Sequence, residues 1–450
     1  MPSSIVTYRV AACLLWALAL WHAWVCRGLF VDGAVFMSQI AAREWFFAFY
    51  APRVYAMILG QIPVVIGVKL GITDLHWLSR LLSLGLFGLP TIFYFAALRR
   101  VRHDAVLLAI VLAAIGAVFY TTSFFIVGEY NTLYGMMMLA AAVLATADRI
   151  TVRDGLILAL IGFLALRTYE GALYLAPIVA AMILWRIWSA EQRPLWPTLL
   201  YLAAVGCLCG GFVIALDSIL VPWDAEHRDE AATTIVNFWQ NMQFVMALFA
   251  TLTVAIWGLL RPADLVTARP YLWAATWVVL LALSPLLGLT EGQVRPLAKS
   301  QYVARTMGGG VISAIIVAMW VYAANFGQRL PVVQAIRTPA AGRNLLALSV
   351  ALFVAVHPSD LYLTATWSRY LDAFRVTVQA RGGLIPYEES PLATRPHILL
   401  VENWTIPSSS LVLRATRHDG VILTPKTFKE WQPYNPAEGY PDLGRYFWRN

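Results

Sequence analysis

Four groups of side chains in this sequence have types and spacings that could do chemistry. Asp32 lies in the run Gly28-Leu29-Phe30-Val31-Asp32-Gly33, a carboxylate in an otherwise apolar stretch. Partial desolvation raises a carboxyl pKa and suits it to general-base work; a cap for a helix starting near Ala34 is the plainer alternative. Glu129, in Gly128-Glu129-Tyr130-Asn131, occupies a tight turn between two apolar runs, with no basic residue in the turn to pair it. It is a second catalytic acid or a solvent-exposed turn carboxylate.

Arg167, Tyr169 and Glu170 close a short apolar run. An Arg and a Glu three apart can pair along a helix, or the guanidinium can fork onto a phosphate, with Tyr169 and Glu170 against the substrate. Arg295, Lys299 and Arg305 fall in one loop with Tyr302. Either they converge on an anion, with Tyr302 as a substrate contact, or the loop is solvated. The run Asp224-Ala225-Glu226-His227-Arg228-Asp229-Glu230 offers carboxylates and an imidazole, but its spacing matches no specific metal loop. His227 is therefore carried as a substrate contact, and no metal is expected.

These residues sit in a chain of 450 residues that is 60% hydrophobic and only 13% charged, with a mean hydropathy of +0.67. Soluble domains carry roughly 25% charge, so the composition predicts a polytopic α-helical membrane protein. Continuous apolar runs, without strict alternation, exclude a porin-like barrel. The net charge of +8 does not call for nucleic acid, because the dense basic cluster Arg99, Arg100 and Arg102 lies between two apolar runs. Cys13, Cys26, Cys207 and Cys209 lie in or beside apolar runs without a CxxC pair, so neither a zinc site nor a disulfide framework is expected.

The runs predict about 11 spans, near 7–26, 78–98, 104–122, 131–147, 155–166, 172–188, 197–220, 242–260, 271–288, 309–324 and 344–361. The run 155–166 is short against the ~20 residues a span needs. The first run is too long for a signal h-region and lacks an A-x-A site, so it reads as a permanent anchor. Charge bias sets the parity. With 54–70 not spanning and the N-terminus cytoplasmic, twelve arginines face inward: Arg99, Arg100, Arg102, Arg149, Arg153, Arg186, Arg193, Arg261, Arg269, Arg329, Arg337 and Arg343. The outward loops between the spans beyond residue 98 hold only Arg167, Arg228, Arg295, Lys299 and Arg305. Residues 27–77 then form one long outward loop, with 34–50 and 54–70 as interfacial helices.

From residue 363 the composition shifts to Pro-marked turns (Ser390-Pro391, Ile406-Pro407, Gln432-Pro433, Asn435-Pro436, Tyr440-Pro441) and short β-like runs at Ile398–Val401 and Ser410–Leu413. The expected division is a membrane module over 1–362 and a small α+β extracytoplasmic domain over 363–450.

The order of these features resembles the GT-C glycosyltransferase superfamily, in particular the branch of protein O-mannosyltransferases and lipid A aminoarabinose transferases. Matching points are the early acid Asp32 in a long first outward loop with two juxtamembrane helices, and a span opening on Arg80-Leu81 and closing on Arg99, Arg100 and Arg102. Glu129 stands for the acid of the second outward loop, and Arg167, Gly171 and Ala176-Pro177 match a basic residue, a Gly and an apolar-Pro helix. The chain departs from the family where Gly33 replaces a frequent second acid, where Glu129 replaces Asp, and in Glu170 beside Arg167.

The resemblance implies transfer of a sugar from a polyprenyl-phosphate donor to an acceptor hydroxyl on the periplasmic face of a bacterial inner membrane. Asp32 is then the base, Glu129 its helper, and Arg167, Lys299, Arg305 and Arg295 the donor-phosphate ligands. The partners implied are the lipid-linked sugar, a glycan, lipid or protein acceptor, and membrane lipid, with no cofactor. A lipid-linked sugar flippase is the rival reading, but no repeated halves are visible; a non-catalytic partner in envelope polysaccharide assembly is another.

Overall fold

The computed structural model describes residues 4–123, 128–220, 237–290, 303–324, 329–394, 400–423 and 443–449. Among these, nine helices are long and apolar enough to cross a membrane, the build of a polytopic helical membrane protein. The sequence places them directly. Long apolar runs without charge satisfy their own backbone only as helices when water is absent.

The first part of the chain forms α1 (Ser4–Trp24), α2 (Asp32–Arg43), α3 (Val54–Lys69), α4 (Leu75–Val101), α5 (Ala105–Thr122), α6 (Glu129–Thr146), α7 (Val152–Ala165), α8 (Ala172–Ser189) and α9 (Leu195–Leu220). It continues with α10 (Met242–Leu260), α11 (Arg269–Leu283), α12 (Gly309–Ala323), α13 (Pro331–Ile336), α14 (Pro339–Ala355), α15 (His357–Ala380) and α16 (Ile406–Leu413). The helices pack as one bundle around a shared core. At one end Arg100 holds Thr146 at 2.7 Å and Asp154 at 3.0 Å, and Arg337 donates to the Tyr322 carbonyl. Asp32, Glu129, Arg53 and Glu170 gather away from that end. Small residues set the closest crossings: Gly162 of α7 lies against the Ala204 carbonyl and Gly211 of α9 against that of Ala165. At 14 residues, α7 is the shortest of the expected spans, ending in polar residues as its run suggested.

The first loop departs from expectation. α2 stops at Arg43, not at residue 50, because Glu44 takes a left-handed φ of 52°. The chain then runs without helix, and the Gln61 amide pairs with both the N–H and the C=O of Phe47 (2.8 and 2.7 Å). α3 packs along α4: with the preceding turn, Ala51–Lys69 is itself long and apolar enough to cross, and Gly60 packs on Gly85 while Gly67 packs on Leu78 and Leu81. By that register the helices form an antiparallel hairpin in which Val54 stops about ten residues, ~15 Å, short of the Val101 end of α4.

The expected boundary at residue 363 falls inside α15, which runs unbroken from His357 to Ala380. Beyond it, Ser410–Leu413 is the end of a helix and not a strand: Pro407 in the first turn of α16 starts the helix, and the Ser410 hydroxyl bonds back to Ile406 O. The strands observed are Leu384–Pro386 and Val421–Leu423, paired in parallel with Leu384 opposite Val421. Val401 is described and is not in a strand; Ile398 of the same expected run lies outside the described residues. The buried side chains of this segment merge with those of the bundle into one core.

Candidate functional site

The backbone that carries Asp32 is tightly held. Cys26 and Val31 adopt φ of 53° and 55°, a region that costs a β-branched residue about 1–3 kcal/mol and that concentrates at functional sites. Gly28 donates its N–H to Ser83 Oγ at 2.9 Å, and a Cβ on Gly28 would stand 2.7 Å from the Ser83 Cα. A Cβ on Gly33 would overlap the Gly28 carbonyl oxygen, 1.5 Å away. Glycine follows Asp32 because the turn admits nothing larger.

Asp32 is the first residue of α2 and not its cap; Val31 holds that position without a side-chain bond. Its carboxylate makes no hydrogen bond or ion pair among the described residues, although Arg305 and Arg53 lie close enough to stabilise its charge. Burial, and then the negative field of Glu129, push its pKa up from 3.8 to about 7, with a further contribution from Glu402. A carboxyl poised there can accept a proton near neutral pH.

Glu129 opens α6 after the extended Gly128. It is 8% exposed, so it is not a solvated turn carboxylate, and it too makes no hydrogen bond or ion pair among the described residues. A buried carboxylate left without a partner costs several kcal/mol unless something else satisfies it. The half-buried Asp32 lies within the field of Glu129.

The cation that meets these carboxylates was not singled out from sequence. Arg53 starts the hairpin at α3, where its Nε bonds both oxygens of Glu170 (2.9 and 3.0 Å). Its guanidinium lies 5.0 Å from the Tyr50 ring centroid and 5.2 Å from that of Tyr169. The remaining N–H groups of Arg53 make no hydrogen bond among the described residues. Arg305, on the π turn Ala304–Gly308 that precedes α12, shares the Tyr169 ring at 5.9 Å. The Arg305 carbonyl accepts from Tyr174 Oη at 3.1 Å, and Tyr134 lies 2.8 Å from the same hydroxyl. Gly309 lets this tyrosine pass, since a Cβ there would collide with its ring. Two guanidiniums thus flank one buried tyrosine.

Arg167 stands apart from this arrangement. Its side chain is exposed, with no hydrogen bond or ion pair among the described residues, and only its carbonyl is engaged, by the Tyr55 N–H at 2.9 Å. Glu170 therefore pairs with Arg53 across the fold and not with Arg167 along its own helix. Tyr169 and Glu170 lie beside Arg53. Arg295, Lys299, Tyr302, His227 and the run 224–230 lie outside the described residues. Among those that are described, no group of three or more His, Cys, Asp or Glu side chains could hold a metal ion.

A second charged cluster supports the loop from behind. Arg27 is fully buried, and its Nη1 donates to Asp360 Oδ1 at 2.6 Å and to Thr364 Oγ1 at 3.1 Å. His22 Nε2 lies 2.6 Å from Asp360 Oδ2, and the Arg27 side chain lies over Phe87 at 5.3 Å. In the sequence each of these residues sat alone at the end of an apolar run. Their signal was the cost of charge at that depth.

Comparison with protein-family models, with curated proteins and with solved structures finds no match.

Proposed function

We propose that the protein is a membrane glycosyltransferase that moves a sugar from a polyprenyl-phosphate donor to an acceptor hydroxyl. The observation that carries the reading is the meeting of two carboxylates without hydrogen-bond partners among the described residues, Asp32 and Glu129, with two guanidiniums, Arg53 and Arg305, in an apolar helical bundle away from its Arg100 end. Asp32 takes the proton of the acceptor hydroxyl as its oxygen attacks the anomeric carbon. The bond from that carbon to the lipid phosphate breaks on the opposite face, so the configuration inverts and polyprenyl phosphate leaves. Arg53 and Arg305 hold the phosphate and stabilise the charge gathering on it. Glu129 orients the acceptor. The proton transfer contributes about 10²–10⁴-fold in rate.

In this reading eleven helices span: α1, α4 to α12 and α14. The hairpin partner α3 stays on the outward side, because it stops short of the arginine-rich end. That end faces the cytoplasm by charge bias, which puts the carboxylates and the C-terminal segment in the periplasm of a bacterial inner membrane.

The test is reconstitution of the purified chain in liposomes with a panel of polyprenyl-phosphate sugars and a mixture of envelope glycans and lipids, reading polyprenyl phosphate release by mass spectrometry. Release that disappears in Asp32→Asn supports transfer. Movement of intact lipid-linked sugar across the bilayer without release identifies a flippase and overturns the proposal.

A further inference from the structure

The chain from residue 363 onward was expected to be a separate outward domain. Its contacts point instead to one target, the short helix α2 that begins with Asp32. At the start of α2, Asp360 and Thr364 of α15 grip Arg27, and one turn further Trp367 Nε1 donates to the Val25 carbonyl at 3.2 Å while its ring meets Phe30 at 5.4 Å. Along its length, α2 is covered by α16. At its end, Glu44 accepts from Tyr446 Oη at 2.8 Å and from Arg445 at 3.0 Å.

The last residues are themselves anchored. Phe447 exchanges backbone bonds with the α3–α4 turn, accepting from Leu75 N at 2.9 Å and donating to Thr73 O at 3.3 Å. Arg449 N donates to Asp74 at 3.0 Å, and Trp448 stacks on His76 at 4.5 Å. The tail therefore bridges α2 to the outer end of the hairpin whose other end presents Arg53.

We propose that the C-terminal segment is a positioning frame for the site, fastening α2 at both ends so that Asp32 is held facing Glu129 and Arg53. Burying the Arg27–Asp360 pair is a poor way to gain stability, since an apolar pair of similar volume commonly serves as well. Its value lies in fixing one geometry for a loop that already holds two left-handed residues. The assignment of Asp32 as a base rests on the proposed function; the mechanical role of the frame does not.

The experiment uses the full chain in lipid nanodiscs. Glu44→Gln with Tyr446→Phe unfastens the rim without touching the buried network or the site. Amide hydrogen exchange over residues 27–44 should then quicken by about tenfold, with α4 and α10 unchanged, because a local opening leaves the global one alone. Exchanging the charges, Glu44→Arg with Arg445→Glu, should restore protection. In an active preparation the rim variant should lose kcat about tenfold while donor KM stays within about twofold, since the anion site is not moved. Unchanged exchange over 27–44, or a uniform rise across the bundle, would overturn the frame. Loss of protection in a chain that shows no sugar transfer would retain the frame and discard the proposed reaction.

Discussion

The pKa of Asp32 can be tested without knowing the substrate. In the unfolded chain this carboxyl ionises near 3.8, and in the fold near 7, because burial and Glu129 disfavour its charge. The unfolded state therefore releases its proton first, so this group lowers native stability as pH climbs from about 4 to 7, after which its effect levels off. Between pH 5 and pH 8 the change is about 3 kcal/mol at most, from 1.36 kcal/mol for each of roughly two pH units. Asp32 is only half-buried, and solvent screening reduces this, so about half is the working figure. Asp32→Asn removes the titration. Its apparent unfolding midpoint in detergent, at constant ionic strength, should exceed the wild-type midpoint by a few degrees more at pH 8 than at pH 5. A difference independent of pH would refute the reasoning. So would a variant that loses ground as pH rises, because that is the behaviour of a carboxylate stabilised in its charged form.

Other outcomes follow from the same geometry. Arg53→Ala should weaken binding of a polyprenyl-phosphate sugar by about 10- to 100-fold, as expected for loss of charge-assisted bonds, whereas Arg167→Ala, with its exposed side chain, should leave affinity within about twofold; titration calorimetry in nanodiscs separates them. Gly33→Ala places a Cβ on the Gly28 carbonyl and should cost about 3 kcal/mol or more, seen as a large fall in folded yield and unfolding midpoint. Asp360→Leu alone strands the buried Arg27 and should cost about 3–5 kcal/mol, while Arg27→Met with Asp360→Leu should recover much of that. Equal losses in the single and double variants would show that the pair is not an isolated charge problem.

Much of the bundle was legible because an apolar run in a membrane has essentially one way to satisfy its backbone, and each expected run from α1 to α14 corresponds to a helix in the described residues. The first loop was less so. Residues 34–50 looked like one amphipathic stretch, but a left-handed Glu44 and the Gln61 pairing with Phe47 end the helix early, and both depend on tertiary contacts. The β-like appearance of Ser410–Leu413 came from composition alone, and the proline at position 407 outweighed it.

At the site, Asp32 and Glu129 stood out because unpaired acids in apolar surroundings are conspicuous. Arg53 was hidden for the opposite reason: it lies in a polar-looking turn, Ala51-Pro52-Arg53, more than a hundred positions from Glu170, and no local spacing links them. Arg167 took its place in the reading because it ends a short helix, yet the backbone turn there sends its side chain to the surface. The Arg27–His22–Asp360 cluster joins residues 338 positions apart, a separation that no pattern along the chain reveals.

The central claim is that Asp32 takes a proton while Arg53 holds a phosphate in one reaction. The most direct measurement is polyprenyl phosphate release by wild type, Asp32→Asn and Arg53→Ala as a function of pH. The wild-type rate should fall below about pH 7 as Asp32 protonates, with near-complete loss in Asp32→Asn while donor binding is retained, and with weakened donor binding in Arg53→Ala. A rate in Asp32→Asn close to wild type, with the same pH dependence, would contradict the claim.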